Sequence, residues 1–298
     1  MSVFVKVKRK LIKYFSVFVS DKKYIKYLYK KHMGKTLNLE SPTTFNEKLQ
    51  WLKLYDHNEI YPTIVDKYAV RQFVKERIGE EYLIPLCGGP WKKFDEIDFG
   101  TLPDSFVLKT THDSGGVFLC REKNSIDIKK AKGTINASLR TNYYRKYREW
   151  PYNLVPRQII AEAFIGDKEH APVDYKIFCF DGVPKFLFVA TGRYVDTRFD
   201  FFDMDFHAIP LKQGHENSST PIAKPENYDK MVEIAKKLSK GFQHVRVDLY
   251  NINGKIYFGE MTLYNYAGLI PFDPEEYDTI FGEYLHIEEL IAEKNKKK

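Results

Sequence analysis

The feature that most constrains this chain lies near its end. Val245-Arg246-Val247-Asp248-Leu249-Tyr250 and Ile256-Tyr257-Phe258-Gly259-Glu260-Met261-Thr262 flank the turn-forming residues 251–254. Both runs are mostly apolar, so they read as a hairpin that must lie within a sheet. One carboxylate interrupts each strand, Asp248 in the first and Glu260 in the second. An unpaired carboxylate is expensive to bury, and two on neighbouring strands repel unless a cation lies between them. Magnesium held by one or two carboxylates together with substrate phosphates removes the difficulty. The alternative is a structural ion pair of Asp248 with Arg246 or with a distant lysine.

Residues 106–119 pose a related problem. Phe106-Val107-Leu108 ends in Lys109, Thr110-Thr111-His112-Asp113-Ser114-Gly115-Gly116 follow, and Val117-Phe118-Leu119 resumes the apolar pattern. This reads as strand, polar turn, strand. Glycines let backbone N–H groups approach a ligand closely, successive N–H groups can cradle an anion, and Lys109 adds a point charge suited to phosphate. On its own the stretch reads equally well as an ordinary hairpin with one exposed lysine.

The other elements are read from periodicity and turn chemistry. Thr44 and Glu47 have capping-box spacing at the start of a helix that runs through Leu49, Trp51, Leu52 and Leu54. A single helix is expected over 61–78, ended by Gly79, with Lys67 and Arg71 one turn apart as a solvated pair. Further helices are expected over 124–148 and 225–241. Residues 159–165 form a buried strand carrying Glu162, and 174–180 and 183–191 form a hairpin about Asp181-Gly182, with Arg193 just beyond it. Gly34-Lys35-Thr36 looks like the end of a P-loop, but the required glycine five residues earlier is Tyr29.

Charge is unevenly placed. Of a formal +7, residues 1–35 hold eleven Lys or Arg against Asp21 alone, a net +10 that leaves −3 for the remainder. A nearly neutral body argues against nucleic acid as the partner. Over 3–33, Val3, Phe4, Val7, Leu11, Tyr14, Phe15 and Phe18 recur at helical spacing among basic residues. Such a helix suits peripheral contact of 1–35 with an anionic membrane surface, or packing on the body with a solvated basic face. Cys87, Cys120 and Cys179 form no Cys-x-x-Cys pair and read as buried free thiols of a reducing cytoplasm. The apolar run 14–19 is too short for a cleavable signal. No Gly-x-Ser-x-Gly occurs and no cysteine has an adjacent histidine, so the sequence offers no nucleophilic triad.

From Phe45 to about Tyr284 the chain resembles the ATP-grasp superfamily, in particular its TupA-like branch in bacterial surface-polysaccharide gene clusters. The resemblance is carried by Asn46-Glu47-Lys48-Leu49-Gln50-Trp51-Leu52, Asp66-Lys67-Tyr68-Ala69-Val70-Arg71, the run from Phe106 to Gly116, Glu162, Asp174-Tyr175-Lys176, Arg246-Val247-Asp248-Leu249-Tyr250 and Gly259-Glu260-Met261-Thr262. It implies an α+β fold whose two lobes clasp ATP, with an N-terminal helical segment. The implied divisions are a basic segment 1–40, a helical region 41–105, a small lobe with the glycine loop 106–160, a C-terminal lobe with the metal site 161–290, and a basic tail 291–298. Lys67 and Lys109 would contact nucleotide phosphates, Ser114, Gly115 and Gly116 would close over them, Glu162 would border adenine and ribose, and Lys176 would join the nucleotide site. Asp248 and Glu260 would hold magnesium, with Thr262 where many relatives place an asparagine ligand. Arg193 and Arg246 would steady an acyl phosphate beside Lys109.

The activity so implied is ATP-dependent joining of a carboxylate to an amine, with ATP and Mg²⁺, in capsule or cell-wall polysaccharide assembly. A uronic acid on a glycan precursor is one carboxylate of that context, and the place is the cytoplasm, at the inner face of the membrane. The sequence departs from the branch at Leu263-Tyr264-Asn265-Tyr266-Ala267-Gly268, where a Pro-Gly-rich turn is usual, which alters the acceptor side. Two other readings stand beside this one. Asp203-Met204-Asp205 has the Asp-x-Asp form that holds a divalent ion in glycosyltransferases, and the basic N-terminus with the altered turn suits a non-catalytic, membrane-associated assembly factor.

Overall fold

The computed structural model describes residues 18–166, 172–193 and 195–296. Two antiparallel sheets organise it. The smaller joins β1 (Leu86–Trp91), β2 (Phe106–Thr110), β3 (Val117–Cys120) and β4 (Ile159–Ala163) in the order β1-β4-β2-β3. The larger joins β5 (Asp174–Phe180), β6 (Val183–Thr191), β7 (Arg198–Phe202), β8 (Ala208–Ile209), β9 (His244–Ile252) and β10 (Lys255–Thr262) in the order β10-β9-β5-β6-β7-β8. The hairpins expected at 174–191 and 245–262 form, and their turns have the left-handed conformations that two-residue connections need, at Asp181-Gly182 and Asn253-Gly254.

Each sheet has its own core. Phe106, Leu108, Ile159 and Ala161 of the smaller sheet pack with Phe94, Leu102, Ala131 and Ile135. In the larger sheet Ile177, Cys179, Leu187, Val245, Val247 and Leu249 share a core with Met231, Ile234, Ala235 and Leu238. Strand alternation then leaves the other face of β9 to His244, Arg246, Asp248 and Tyr250. The fold thereby turns the polar half of the last hairpin away from the face that residues 228–239 cover.

Among the described residues the α-helices are α1 (Asp21–Met33), α2 (Phe45–Tyr55), α3 (Tyr61–Val65), α4 (Val70–Ile78), α5 (Ile128–Leu139), α6 (Tyr143–Tyr147), α7 (Tyr228–Ser239), α8 (Glu276–Tyr284) and α9 (Glu288–Lys296). The capping box of α2 forms as expected. The single helix expected over 61–78 is two helices. Asp66 accepts from the N–H groups of Tyr68 (2.8 Å) and Ala69 (3.3 Å), a local turn that competes with helix, and Lys67 N–H donates to Thr111 O (3.2 Å) of the other region. The expected helix 124–148 likewise divides into α5 and α6, with Asn142 capping the second through Arg145 N–H (3.0 Å). Cys120 and Cys179 are buried, whereas Cys87 is only partly so.

The polar residues of Asn46-Glu47-Lys48-Leu49-Gln50 fasten α2 to the chain's end. Asp278 of α8 accepts from Asn46 N–H (2.8 Å), Lys48 Nζ donates to Gly282 O (3.1 Å) and Leu285 O (2.8 Å), and Gln50 Nε2 donates to Ala267 O (2.9 Å) and Gly268 O (2.7 Å). A Cβ at Gly282 would lie 2.4 Å from Thr43 O, so only glycine permits this approach.

The apolar face of α1 is covered by the body. Tyr24, Ile25, Leu28 and Tyr29 are buried, Arg148 lies over the Tyr24 ring (4.3 Å), and Tyr144 donates to Asp21 (2.6 Å). The outward side of α1 carries Lys22, Lys23, Lys26, Lys30 and Lys31 beside Tyr27, which is 42% exposed, and Phe18 just before the helix is 84% exposed. Residues 3–17 of the expected amphipathic helix lie outside the described residues. Among the described residues no helix is long and apolar enough to cross a membrane.

Candidate active site

A cavity of about 210 Å³ lies against both sheets. Its apolar walls come from Val107, Val117 and Leu119 of the smaller sheet, with Phe164, Ile165 and Phe258. Its charged walls carry Lys67, Arg71, Lys109, Lys176 and Arg193 against Glu162, Asp174, Asp248 and Glu260. The wall is therefore net cationic, with an apolar side beside a charged one. Such a shape suits an amphiphilic anion.

Lys109 on β2 and Glu162 on β4 form an ion pair at 2.6 Å, and Arg71 from the first turn of α4 holds the other carboxylate oxygen at 3.0 Å. Arg71 also donates to Ile84 O (2.9 Å), which fixes its fork. Arg71 is thus an anchor of the site rather than the solvated residue its spacing suggested. Lys67 occupies the break between α3 and α4, and its Nζ donates to Asp113 O. Burial is the largest influence on Lys67 and pulls its ammonium below the usual lysine range, against the charges of Glu260 and Asp113. A partly desolvated ammonium of this kind favours an anionic ligand.

On the larger sheet, register sets Asp248 directly beside Lys176 on β5 and Glu260 on β10. Arg246 donates to Asp248 through Nε (2.7 Å) and Nη2 (2.8 Å), and Lys176 pairs with the same carboxylate. Lys176 and Arg193 also meet Asp174, at 2.9 and 2.6 Å. Burial alone would raise the Asp248 carboxyl, but Arg246 and Lys176 hold it below the usual carboxylate range. Arg246 Nη1 donates to Asn265 Oδ1 (2.5 Å) and Nη2 to Thr262 Oγ1 (3.1 Å). Arg246 therefore lies behind the wall and ties the carboxylates to the turn after Thr262, rather than facing the cavity. In that turn Tyr266 and Ala267 both take left-handed backbone, at φ 48° and 55°, held from outside by Gln50 and Lys53 on Ala267 O (2.9 and 2.5 Å).

The donor set bears on magnesium. Asp248 and Glu260 are cross-strand neighbours with hard oxygen donors, as the ion requires. Three donors already engage Asp248, leaving it little free lone-pair capacity. Glu260 is 42% exposed in its side chain and meets Arg246 only at 3.4 Å. The set fits a divalent ion with Glu260 as the freer ligand. Asp203, Asp205 and His207 also lie close enough together to ligate. They do not line the cavity, and Asp203 accepts from the N–H groups of Asp205 (3.0 Å) and His207 (2.8 Å), which shapes the turn between β7 and β8.

The two loop glycines differ. A Cβ at Gly115 would meet nothing within 4 Å, whereas one at Gly116 would lie 1.8 Å from Thr110 Oγ1. Gly116 N–H donates to Asp113 Oδ1 (3.0 Å), so it does not face a ligand. Ser114 lines the cavity, and its hydroxyl donates to Tyr143 OH of α6 (3.0 Å).

Residues 47–286 match the family described as TupA-like ATPgrasp. The chain belongs to the TupA-like ATP-grasp family. Its α+β architecture is the ATP-grasp fold. Among solved structures it is similar to a D-alanine–D-alanine ligase from Bacillus anthracis complexed with ATP, at 14% identity over 79% of this chain and 67% of that one, TM-score 0.43. It is also similar to an L-amino acid ligase from Bacillus licheniformis, at 11% identity over 88% and 58%, TM-score 0.49. A third is an ADP complex of N5-carboxyaminoimidazole ribonucleotide synthetase, at 16% over 73% and 50%, TM-score 0.43. The chain spans only about half to two thirds of the length of these structures. No curated protein matches its sequence.

Proposed function

We propose that this TupA-like ATP-grasp protein is an ATP-dependent carboxylate–amine ligase of capsule or cell-wall polysaccharide assembly, acting in the cytoplasm. The supporting observation is the cavity wall itself, where five cationic side chains stand among four carboxylates beside an apolar side. Such a wall accommodates a nucleobase against Val107, Leu119 and Ile165 and a polyphosphate against Lys67, Lys109 and Lys176.

In the proposed reaction a substrate carboxylate attacks the γ-phosphorus of ATP, the bond to the bridging oxygen breaks, and ADP leaves. An amine then attacks the acyl carbon, inorganic phosphate leaves, and the amine nitrogen gives up a proton. Bound magnesium supplies charge neutralisation of the phosphates, with Glu260 and Asp248 as its holders. The side chains position reactants and neutralise developing charge, which accounts for catalysis without a protein nucleophile. Arg193, one-third exposed in its side chain and beside Asp174, would meet the acyl phosphate in this reading. A uronic acid on a glycan precursor is the carboxylate this reading puts first.

The test is incubation with MgATP, a panel of uronic acids and hydroxylamine as the trapping amine. The reading requires equal amounts of ADP and phosphate, together with a hydroxamate. Production of AMP and pyrophosphate, or transfer from a UDP-sugar with Mn²⁺ and no use of ATP, would overturn it.

A further inference from the structure

We propose that Asp113 is the positioning residue of the 111–116 turn, shaping it to grip a nucleotide's polyphosphate tail rather than its nucleoside. The inference rests on the nucleotide reading above. Asp113 is buried, and three groups donate to it: Thr110 Oγ1 (2.7 Å) and Gly116 N–H (3.0 Å) to Oδ1, and Ser138 Oγ to Oδ2. These donors end β2, precede β3 and lie in the last turn of α5. One carboxylate therefore ties both ends of the turn to each other and to the helix beneath.

Gly116 is what lets that cluster close, because its missing Cβ is the space that the Thr110 and Ser138 hydroxyls occupy. Lys67 completes the arrangement by donating to the Asp113 carbonyl, which holds its ammonium under the turn. At the tip the N–H groups of Ser114 and Gly115 meet no acceptor among the described residues. They are the donors left for an anion.

A carboxylate under a phosphate-binding turn would repel the ligand if its charge faced outward. Here the charge is consumed inward. Burial alone would raise the Asp113 carboxyl, yet the Ser138 and Thr110 hydrogen bonds and the Lys67 charge hold it below the usual carboxylate range. Asp113 thus stays anionic, and its hydrogen bonds are the stronger, charge-assisted kind.

Asp113→Asn replaces one acceptor oxygen by an N–H₂ group that faces donors. Calorimetric titration of MgATP and of AMP into the wild type, Asp113→Asn and Ser138→Ala tests the proposal. Asp113→Asn should raise the MgATP Kd about tenfold while AMP changes less than about twofold, since AMP lacks the β- and γ-phosphates. Ser138→Ala should shift the same ratio in the same direction by less, and it decides the matter if Asp113→Asn does not fold. An unchanged MgATP-to-AMP ratio in both variants, or equal weakening of both ligands, would overturn the role of Asp113. A wild type that binds neither ligand would overturn the nucleotide reading and this inference with it.

Discussion

Arg246→Leu removes the guanidinium that joins Asp248, Thr262 and Asn265, and its cost follows from what it leaves behind. Asp248 keeps only Lys176, and the Asn265 Oδ1 acceptor, matched by Arg246 at 2.5 Å, loses that donor. Breaking one partner out of a buried pair costs about 3–5 kcal/mol. An unfolding entropy of about 2.1 cal/mol/K per residue over 298 residues converts this into a Tm loss of about 5–8 °C. The sign with pH is also fixed. In the wild type the folded Asp248 carboxyl lies below its unfolded value of 3.8, so it stabilises the fold above that value and the contribution is lost as pH falls through the folded one. Without Arg246, burial gains over Lys176 alone and the carboxyl rises. The deficit against wild type is then largest near neutrality and narrows towards about pH 4. Scanning calorimetry of both proteins across that range measures it. A Tm loss under about 1 °C, or a deficit that does not change with pH, would refute the reasoning.

Two further outcomes follow from the same geometry. Gly116→Ala places a methyl group against the Thr110 and Ser138 hydroxyls and should cost about 1–3 kcal/mol, whereas Gly115→Ala should be nearly silent by chemical denaturation. Burial pushes the Glu149 carboxyl up to about 7, against the pull of Lys53. A carboxyl raised on folding takes up protons between its unfolded and folded values, so its contribution to stability falls as pH rises through that window. The decline of Tm between about pH 5 and 7 should therefore be shallower in Glu149→Gln.

Local chemistry was readable in the sequence, and long-range geometry was not. Asp181-Gly182 and the Thr44–Glu47 capping box act through neighbouring backbone, so the hairpin and the start of α2 were legible directly. The break between α3 and α4 depends on a side-chain turn at Asp66 and on a hydrogen bond from Lys67 to Thr111, and the second of these exists only in the folded chain. β1 was hidden because Leu86-Cys87-Gly88-Gly89-Pro90-Trp91 has no strand-like alternation and pairs irregularly with β4. At the site, the resemblance pointed to twelve residues, of which Lys67, Lys109, Ser114, Glu162, Lys176, Arg193, Asp248 and Glu260 line one cavity, whereas Gly115, Gly116, Arg246 and Thr262 do not. Arg71 looked solvated because its partner, Glu162, lies ninety-one residues away. Asp113 was missed since nothing in Thr110-Thr111-His112-Asp113 reveals that Ser138 of α5 lies beneath it. The apolar positions read from the periodicity of the basic N-terminus, Val3 to Phe18, lie outside the described residues except Phe18, which is exposed, and the face that the body covers is a different set, Tyr24, Ile25, Leu28 and Tyr29.

The most direct test of a nucleotide site between the two sheets is a thermal-shift titration with MgATP on the wild type and Lys109→Ala, alongside UDP-sugars with Mn²⁺. A ligand held at about one hundred times its Kd stabilises the folded state by about 2.7 kcal/mol, or about 4 °C for a chain of this size. The account predicts that shift with MgATP in the wild type and its loss in Lys109→Ala. A shift with UDP-sugar and Mn²⁺ alone, or an MgATP shift that survives unchanged in Lys109→Ala, would contradict it.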